Sequence, residues 1–230
     1  MKVATNKIDE FKKLIRVVND FDFLKETLST DSDVDVYIHA IWLGYLDACR
    51  TFNNQKKPNI KDEAIRSLAE KLKKYVDGGC EFDHNSYCNL LVDSYSMHYG
   101  QAQKIVNMAF KYLFCITNDS KLQKKFDCCH MPLDGIMLEW MYRNITDENG
   151  KKILQKTKIG SWSKMNADSY SDYQSLVLNH FKGKKPLELD FEYWREMALR
   201  LAAEQYLRNF NDDEKTTGVP TKWLEKVTDQ

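Results

Sequence analysis

Hydrophobic residues recur along most of this chain at the three- and four-residue spacing of amphipathic helices. The first such segment, residues 7–28, ends before an acidic turn at Asp31 to Asp33. The same spacing predicts helices over residues 36–52, 61–75, 83–97, 101–117, 132–144, 169–181 and 190–210. Residues 121–129 have the composition of a basic, polar connection, and residues 211–230 that of a polar tail with one apolar anchor, Trp223. The pattern predicts an all-α fold.

Composition supports that prediction. The chain has 9 glycines and 4 prolines in 230 residues, too few for a sandwich or barrel with many turns. Hydrophobic residues make up 43% and charged residues 30%, which is ordinary for a soluble globular chain. The length fits one domain, so we expect residues 1–230 to form a single helical unit, with the polar tail at its end.

The net charge and the lack of long apolar runs limit the kinds of partner that this chain is expected to bind. Lys plus Arg and Asp plus Glu are both 34, so bulk charge does not draw this chain to nucleic acid or anionic lipid, although local basic groups still can. No apolar run approaches the roughly 18–20 residues of a membrane span, and the first ten residues are polar. We therefore expect a cytoplasmic protein with no membrane partner and with reduced cysteines. The adjacent pair Cys128-Cys129 would chelate one tetrahedral ion poorly, so no metal site is predicted.

The helix over 101–117 carries two lysines on a segment that is apolar almost all round. Lys104, Met108, Lys111 and Cys115 lie within about 60° of one another on a helical wheel. A lysine there either lines a cleft or lays its stem along apolar surface while its head reaches water. Partial burial near a second cation would lower a lysine pKa and release a neutral, nucleophilic amine.

A second candidate follows a proline. Asp134 stands two residues after Pro132, at the predicted start of a helix. An aspartate there can simply cap the helix. Alternatively, its carboxylate faces the lysine helix across a cleft. A Lys–Asp pair can attack a sugar carbon and stabilise the positive charge that develops there.

Gly100, Lys104 and the Pro132-x-Asp134 motif resemble the helix-hairpin-helix DNA glycosylase superfamily. A glycine turn precedes the lysine, and Pro-x-Asp opens a later helix. The gap of thirty residues between Lys104 and Asp134 is similar to that of the archaeal 8-oxoguanine DNA glycosylase branch.

Three further features resemble that branch, and the resemblance spans about residues 98–200. Lys111 follows Lys104 by seven residues, Met108 occupies the position that packs on the flipped base, and Asp190 and Trp194 stand four apart in LELDFEYW. The resemblance implies a bilobed fold with a cleft between the lobes. It also implies that Lys104 is the nucleophile, that Asp134 is its partner, and that the base lies among Met108, Lys111, Asp190 and Trp194. Capping of the last helix by Asp190, and a plain core role for Trp194, remain open.

The implied substrate is double-stranded DNA from which a damaged base has been flipped out of the stack. The residues assigned to the DNA backbone are Gly100, Gln101, Gln103, Lys121, Lys124 and Lys125. The implied activity is a bifunctional N-glycosylase and abasic-site lyase, with an 8-oxoguanine-like purine favoured, no cofactor, and a monomer as the active form. Because Met108 is not aromatic, a larger hypermodified phage base is an alternative, which would make the role antiphage defence. A non-catalytic DNA-binding or interaction protein on the same fold is another.

Overall fold

The computed structural model describes residues 34–50, 62–116, 120–154 and 160–217. These residues form eight α-helices: α1 (Val34–Arg50), α2 (Asp62–Val76), α3 (His84–Tyr95), α4 (Tyr99–Ile116), α5 (Ser120–Lys125), α6 (Gly135–Asn144), α7 (Ala167–His180) and α8 (Pro186–Thr217). Short 3-10 turns span Phe126–Cys128 and Trp162–Lys164. Within the described ranges the only strand-like pairing is an isolated bridge between Thr146 and Lys152. The all-α prediction is confirmed for these residues.

Several boundaries differ from the predicted ones. Residues 121–129, predicted as a connection, are helical from Ser120 to Cys128, because Lys and Gln favour helix and buried Phe126 anchors the segment. The last helix begins at Pro186, since proline suits the first turn. Asp190 therefore lies inside α8, and the alternative that it caps this helix is wrong. This helix also runs past residue 210, so residues 211–217 are not a tail.

Other predictions fall outside what the structure describes or stay predictions. The predicted helix over 7–28 and the part of the predicted tail from residue 218 onward lie outside the described residues. The bilobed arrangement and the extent of the single domain remain predictions. Among the described helices, none combines the length and the apolar character needed to cross a membrane.

Helix α4 is the centre of the core. Nearly every one of its residues is buried, as its apolar character on all faces requires. Its most extensive packing is against α1. The two helices approach closely at Gly44, where an added Cβ would lie 2.5 Å from the Ile105 carbonyl oxygen. This close crossing places the residues that follow Gly44 beside the middle of α4.

The start of α4 is covered by the segment around Trp162. The Gly100 N–H donates to the Met165 carbonyl over 2.9 Å. A Cβ on Gly100 would lie 1.8 Å from the Trp162 carbonyl oxygen, which is shorter than any real contact. The glycine is thus required by the approach of another backbone.

We expect Gly100→Ala to destabilise the protein by about 1–3 kcal/mol, because the Trp162 backbone must move to admit the methyl group. Urea unfolding of the purified variant measures the change. Gly160→Ala is the matched control, since a Cβ there meets nothing within 4 Å. Equal midpoints for the two variants would contradict the packing role of Gly100.

Candidate active site

Lys104 is buried in the middle of the fold and is held by two carboxylates. Its side chain is 3% exposed, and its Nζ donates to Asp134 Oδ2 over 2.8 Å. A second carboxylate oxygen, Oδ2 of Asp47 on α1, lies 3.6 Å from the same nitrogen. The amine is therefore placed between the start of α6 and the last turn of α1.

Asp134 serves two purposes at once. Its Oδ1 accepts the backbone N–H groups of Ile136 and Met137, which makes it the N-cap of α6. Its Oδ2 accepts from Lys104. Burial alone would raise the pKa of Asp134, but the Lys104 charge and these hydrogen bonds outweigh burial and lower it. The helix cap and the pairing of this carboxylate with the lysine helix are both confirmed, whereas the cleft and the catalytic role stay predictions.

Trp194 reaches the same oxygen from α8. Its Nε1 donates to Asp134 Oδ2 over 3.0 Å. The two nitrogens, on Lys104 and Trp194, therefore share one acceptor and can be no further apart than the two bond lengths together. The family resemblance implies that one base reaches both Trp194 and Lys104, and their nitrogens lie well within the roughly 10 Å that such a reach allows.

Lys111 and Asp190 form a second buried ion pair beside the first. The Lys111 Nζ also lies 4.9 Å from the centre of the Phe191 ring and 6.0 Å from that of Trp194. Within the described part of the chain, the other Asp190 oxygen, Oδ1, is buried without a hydrogen-bond partner. Burial raises the pKa of Asp190, and the Lys111 charge offsets this only in part. This ion pair thus combines an unsatisfied buried acceptor on Asp190 with a lysine that lies near two aromatic rings.

The prediction that the pKa of Lys104 is lowered is wrong. We expected a neighbouring cation to lower its pKa. Burial does act in that direction, but the carboxylates of Asp134, Asp47 and Asp190 outweigh it, so the pKa of Lys104 is raised. Lys104 is accordingly an ammonium in this closed arrangement, and it needs a proton acceptor before it can attack a carbon.

Met108, the other predicted base-binding residue, is 4% exposed and belongs to the hydrophobic core. It lies between the two lysines on the same stripe of α4. Its thioether adds an apolar surface to this side of the helix.

Three of the predicted DNA-backbone residues do not fit that role. Gly100, Gln101 and Gln103 are buried, because the segment around Trp162 covers the start of α4. The side-chain amide of Gln103 is hydrogen-bonded to the residue before Asp134. Its Nε2 donates to the Leu133 carbonyl over 2.6 Å, and its Oε1 accepts the Leu133 N–H over 3.2 Å. These residues have no surface left for a phosphate.

The three predicted backbone lysines have different environments. Lys124 is exposed on α5, and Lys125 is partly buried with its carbonyl accepting the Tyr75 hydroxyl. The side chain of Lys121 lies outside the described residues. Lys124 is thus the one of these three with a described, exposed side chain.

A buried polar network fixes the chain that carries Asp134. Asn107 donates to the Tyr170 hydroxyl over 2.8 Å, and His84 Nε2 contacts Asn107 Oδ1 at 2.9 Å. His130 Nδ1 contacts the same tyrosine hydroxyl at 2.9 Å. Burial lowers the pKa of His130 to about 4 and that of His84 well below its ordinary value, so both rings are neutral. Together with Gln103, these residues hold Asp134 against α4.

The sequence interpretation missed Asp47 and this network. Asp47 is an acidic residue in IWLGYLDAC, an otherwise apolar stretch of α1. That is the same kind of signal that singled out the lysines of α4, and it could have identified Asp47. The network offered no comparable signal, because its members come from three helices and one loop.

Within the described part of the chain, the structure adds neither a metal-binding arrangement nor a disulfide to this picture. Among the described residues, no group of three or more His, Cys, Asp and Glu side chains is placed to hold a metal ion. All six cysteines are free thiols. Comparison with protein-family models, with curated proteins and with solved structures found no match for this chain. The residues around Lys104 must therefore indicate the function by their own chemistry.

Proposed function

We propose that this protein is a DNA glycosylase that removes a flipped, damaged or modified base, with Lys104 as a Schiff-base nucleophile. The observation that carries the proposal is the sharing of one Asp134 oxygen by the Lys104 amine and the Trp194 indole. A nucleophile, a carboxylate and a π-surface thereby meet at one point. Those are the groups needed to attack the sugar carbon, to stabilise its positive charge and to stack the base.

The second ion pair supplies the edge recognition. Asp190 has an acceptor oxygen without a partner, and base edges offer N–H donors. Lys111 holds the other Asp190 oxygen and lies within cation–π distance of Trp194. A base between Trp194 and Met108 would meet Asp190 at its edge. An 8-oxoguanine-like purine is the favoured substrate, and strand cleavage by β-elimination follows from the imine chemistry.

Entry of a base requires this cluster to open. Lys104 and Asp134 are each 3% exposed in their side chains, whereas Asp47 is 27% exposed and Trp194 is half-buried. We therefore place the entrance beside Asp47 and Trp194. Substrate binding would exchange the Trp194–Asp134 hydrogen bond for stacking on the flipped base, and binding energy from the DNA backbone would drive that exchange.

The direct test uses duplexes that carry a panel of modified bases, 8-oxoguanine included, with sodium borohydride present. We expect a covalent protein–DNA adduct with at least one of them, because borohydride reduces an imine to a stable amine. Hypermodified phage pyrimidines belong in the same panel. Absence of an adduct with every lesion and with an abasic site would overturn the proposal.

Trp194→Ala should weaken binding to lesion-containing duplex by about 1–3 kcal/mol, the value of one base–aromatic stack. Binding to undamaged duplex should change little, since no flipped base is stacked there. Fluorescence anisotropy with both duplexes measures the difference. Trp140→Ala is a poor control because that ring is core; Trp42→Ala, a partly exposed tryptophan of α1, is the better one. An equal loss of binding affinity for both duplexes would show that Trp194 has a structural role only.

A non-catalytic DNA-binding protein on the same fold is the second candidate. The raised pKa of Lys104 favours it, since a buried ammonium with two carboxylate neighbours is also a plain structural ion pair. This candidate predicts lesion-independent binding and no adduct.

A further inference from the structure

Lys104 needs a proton acceptor, and the neighbouring carboxylates are not equivalent. Asp134 already accepts at both oxygens, from two backbone N–H groups, from Lys104 and from Trp194. A proton on Asp134 would weaken the cap of α6 and remove the charge that stabilises the sugar cation. Asp190 pairs with Lys111 through one oxygen, and its other oxygen is assigned to the edge of the base. Asp47 is the remaining carboxylate in contact with the amine.

Asp47 is also the member of this group that reaches solvent. Its Oδ2 lies 3.6 Å from Lys104 Nζ, and its side chain is 27% exposed, against 3% for Lys104 and Asp134. Its position is fixed by the fold, because the close crossing of α1 and α4 at Gly44 sets Asp47, one helical turn later, against Lys104. A proton taken by Asp47 can leave to water without crossing the buried cluster.

The geometry points to Asp47 as the base that deprotonates Lys104 and passes the proton to solvent. This assignment rests on the proposed glycosylase function. In the step, the N–H bond of the Lys104 ammonium breaks and its proton goes to Asp47 Oδ2. The freed Nζ electron pair bonds to sugar C1′ while the bond from C1′ to the base breaks, and that bond's electron pair leaves with the base. The departing base takes a proton from water.

Asp134 keeps a different role in this scheme. It stays ionised and stabilises the positive charge on the sugar during base release. On a preformed abasic site no base has to leave, yet Lys104 must still lose a proton before it attacks the aldehyde carbon. The nitrogen then bonds to that carbon, water is lost, and an imine forms that borohydride reduces. Loss of Asp47 should therefore slow both reactions, and loss of Asp134 mainly the first.

The experiment measures single-turnover adduct formation between about pH 6 and about pH 9, on one duplex with 8-oxoguanine and one with an abasic site. If the panel identifies another lesion, that lesion replaces 8-oxoguanine. We expect Asp47→Asn to form the adduct at least about 100-fold more slowly than wild type near pH 7 on both duplexes. Its rate should rise about tenfold for each pH unit, because hydroxide replaces the lost base. The wild-type profile should be flatter, and Asp47→Glu should restore much of the rate and the flat profile.

Asp77→Asn is the matched control, because Asp77 is an exposed carboxylate paired with Lys73. Urea unfolding and binding to undamaged duplex check that each variant is folded. A wild-type rate and profile for Asp47→Asn would overturn the assignment, and so would a slowing that is the same at every pH. If Asp47→Asn does not fold, a steep profile for folded Asp47→Glu overturns it as well. Failure of wild type to form any adduct would instead overturn the proposed function, and this assignment with it.

Discussion

Lys104→Gln should abolish the borohydride adduct on both lesion and abasic duplexes, while binding to undamaged duplex persists. The amide nitrogen of glutamine has no available electron pair, so no imine can form. Glutamine can still donate to Asp134 Oδ2, which partly compensates the carboxylate that lysine leaves behind. Denaturing gel electrophoresis of labelled DNA after borohydride treatment measures the adduct.

Lys111→Gln is the matched control for that variant. It removes a lysine from the same stripe of α4, also buried and also paired with an aspartate. Because Lys111 is assigned to the base and not to the sugar, the adduct on an abasic site should survive this change. A full adduct in Lys104→Gln would move the nucleophile elsewhere, with Lys111 the first position to examine.

Local pattern was sufficient to predict most helices but not the contacts of the turn before α4. The apolar spacing of α4 reflects burial on all faces, and that information is present within the segment itself. Gly100 looked like a hairpin glycine open to DNA because the sequence does not reveal that the Trp162 backbone packs on it. Helix starts were displaced where a proline begins the helix, as at Pro186.

In the candidate site, too, what could be predicted from the sequence differs from what depends on tertiary contacts. The meeting of Lys104, Asp134 and Trp194 followed from the order of motifs in a family resemblance, since these residues are far apart in sequence and no local rule joins them. The pKa direction of Lys104 was mispredicted because it depends on which carboxylates face the amine. Asp47 faces it only through the crossing of α1 and α4, which is a tertiary contact.

Asp134→Asn should slow base release by about 100- to 1,000-fold, the effect of removing one electrostatic group from a transition state. Asparagine can keep the cap of α6 through its oxygen, so the helix start survives. Its amide nitrogen, however, would face the Lys104 ammonium and the Trp194 N–H, which are donors as well. The unfolding free energy should therefore fall by about 3–5 kcal/mol, the cost of breaking a buried ion pair. Quench-flow on lesion duplex, corrected for the folded fraction, measures the rate.

The pH dependence of stability separates the ion pair from the cap in this variant. The pKa of Asp134 is lowered in the folded protein from its ordinary 3.8, so its ionised form contributes stability above that value and loses it as the pH falls below. The stability gap between wild type and Asp134→Asn should stay constant from neutral pH to about pH 5 and should close below about pH 4. A double variant, Lys104→Met with Asp134→Asn, should recover part of the lost stability at neutral pH, because it leaves no buried cation unpaired. If the stability difference between wild type and Asp134→Asn does not depend on pH, and base release per folded molecule is unchanged, Asp134 acts only as a helix cap.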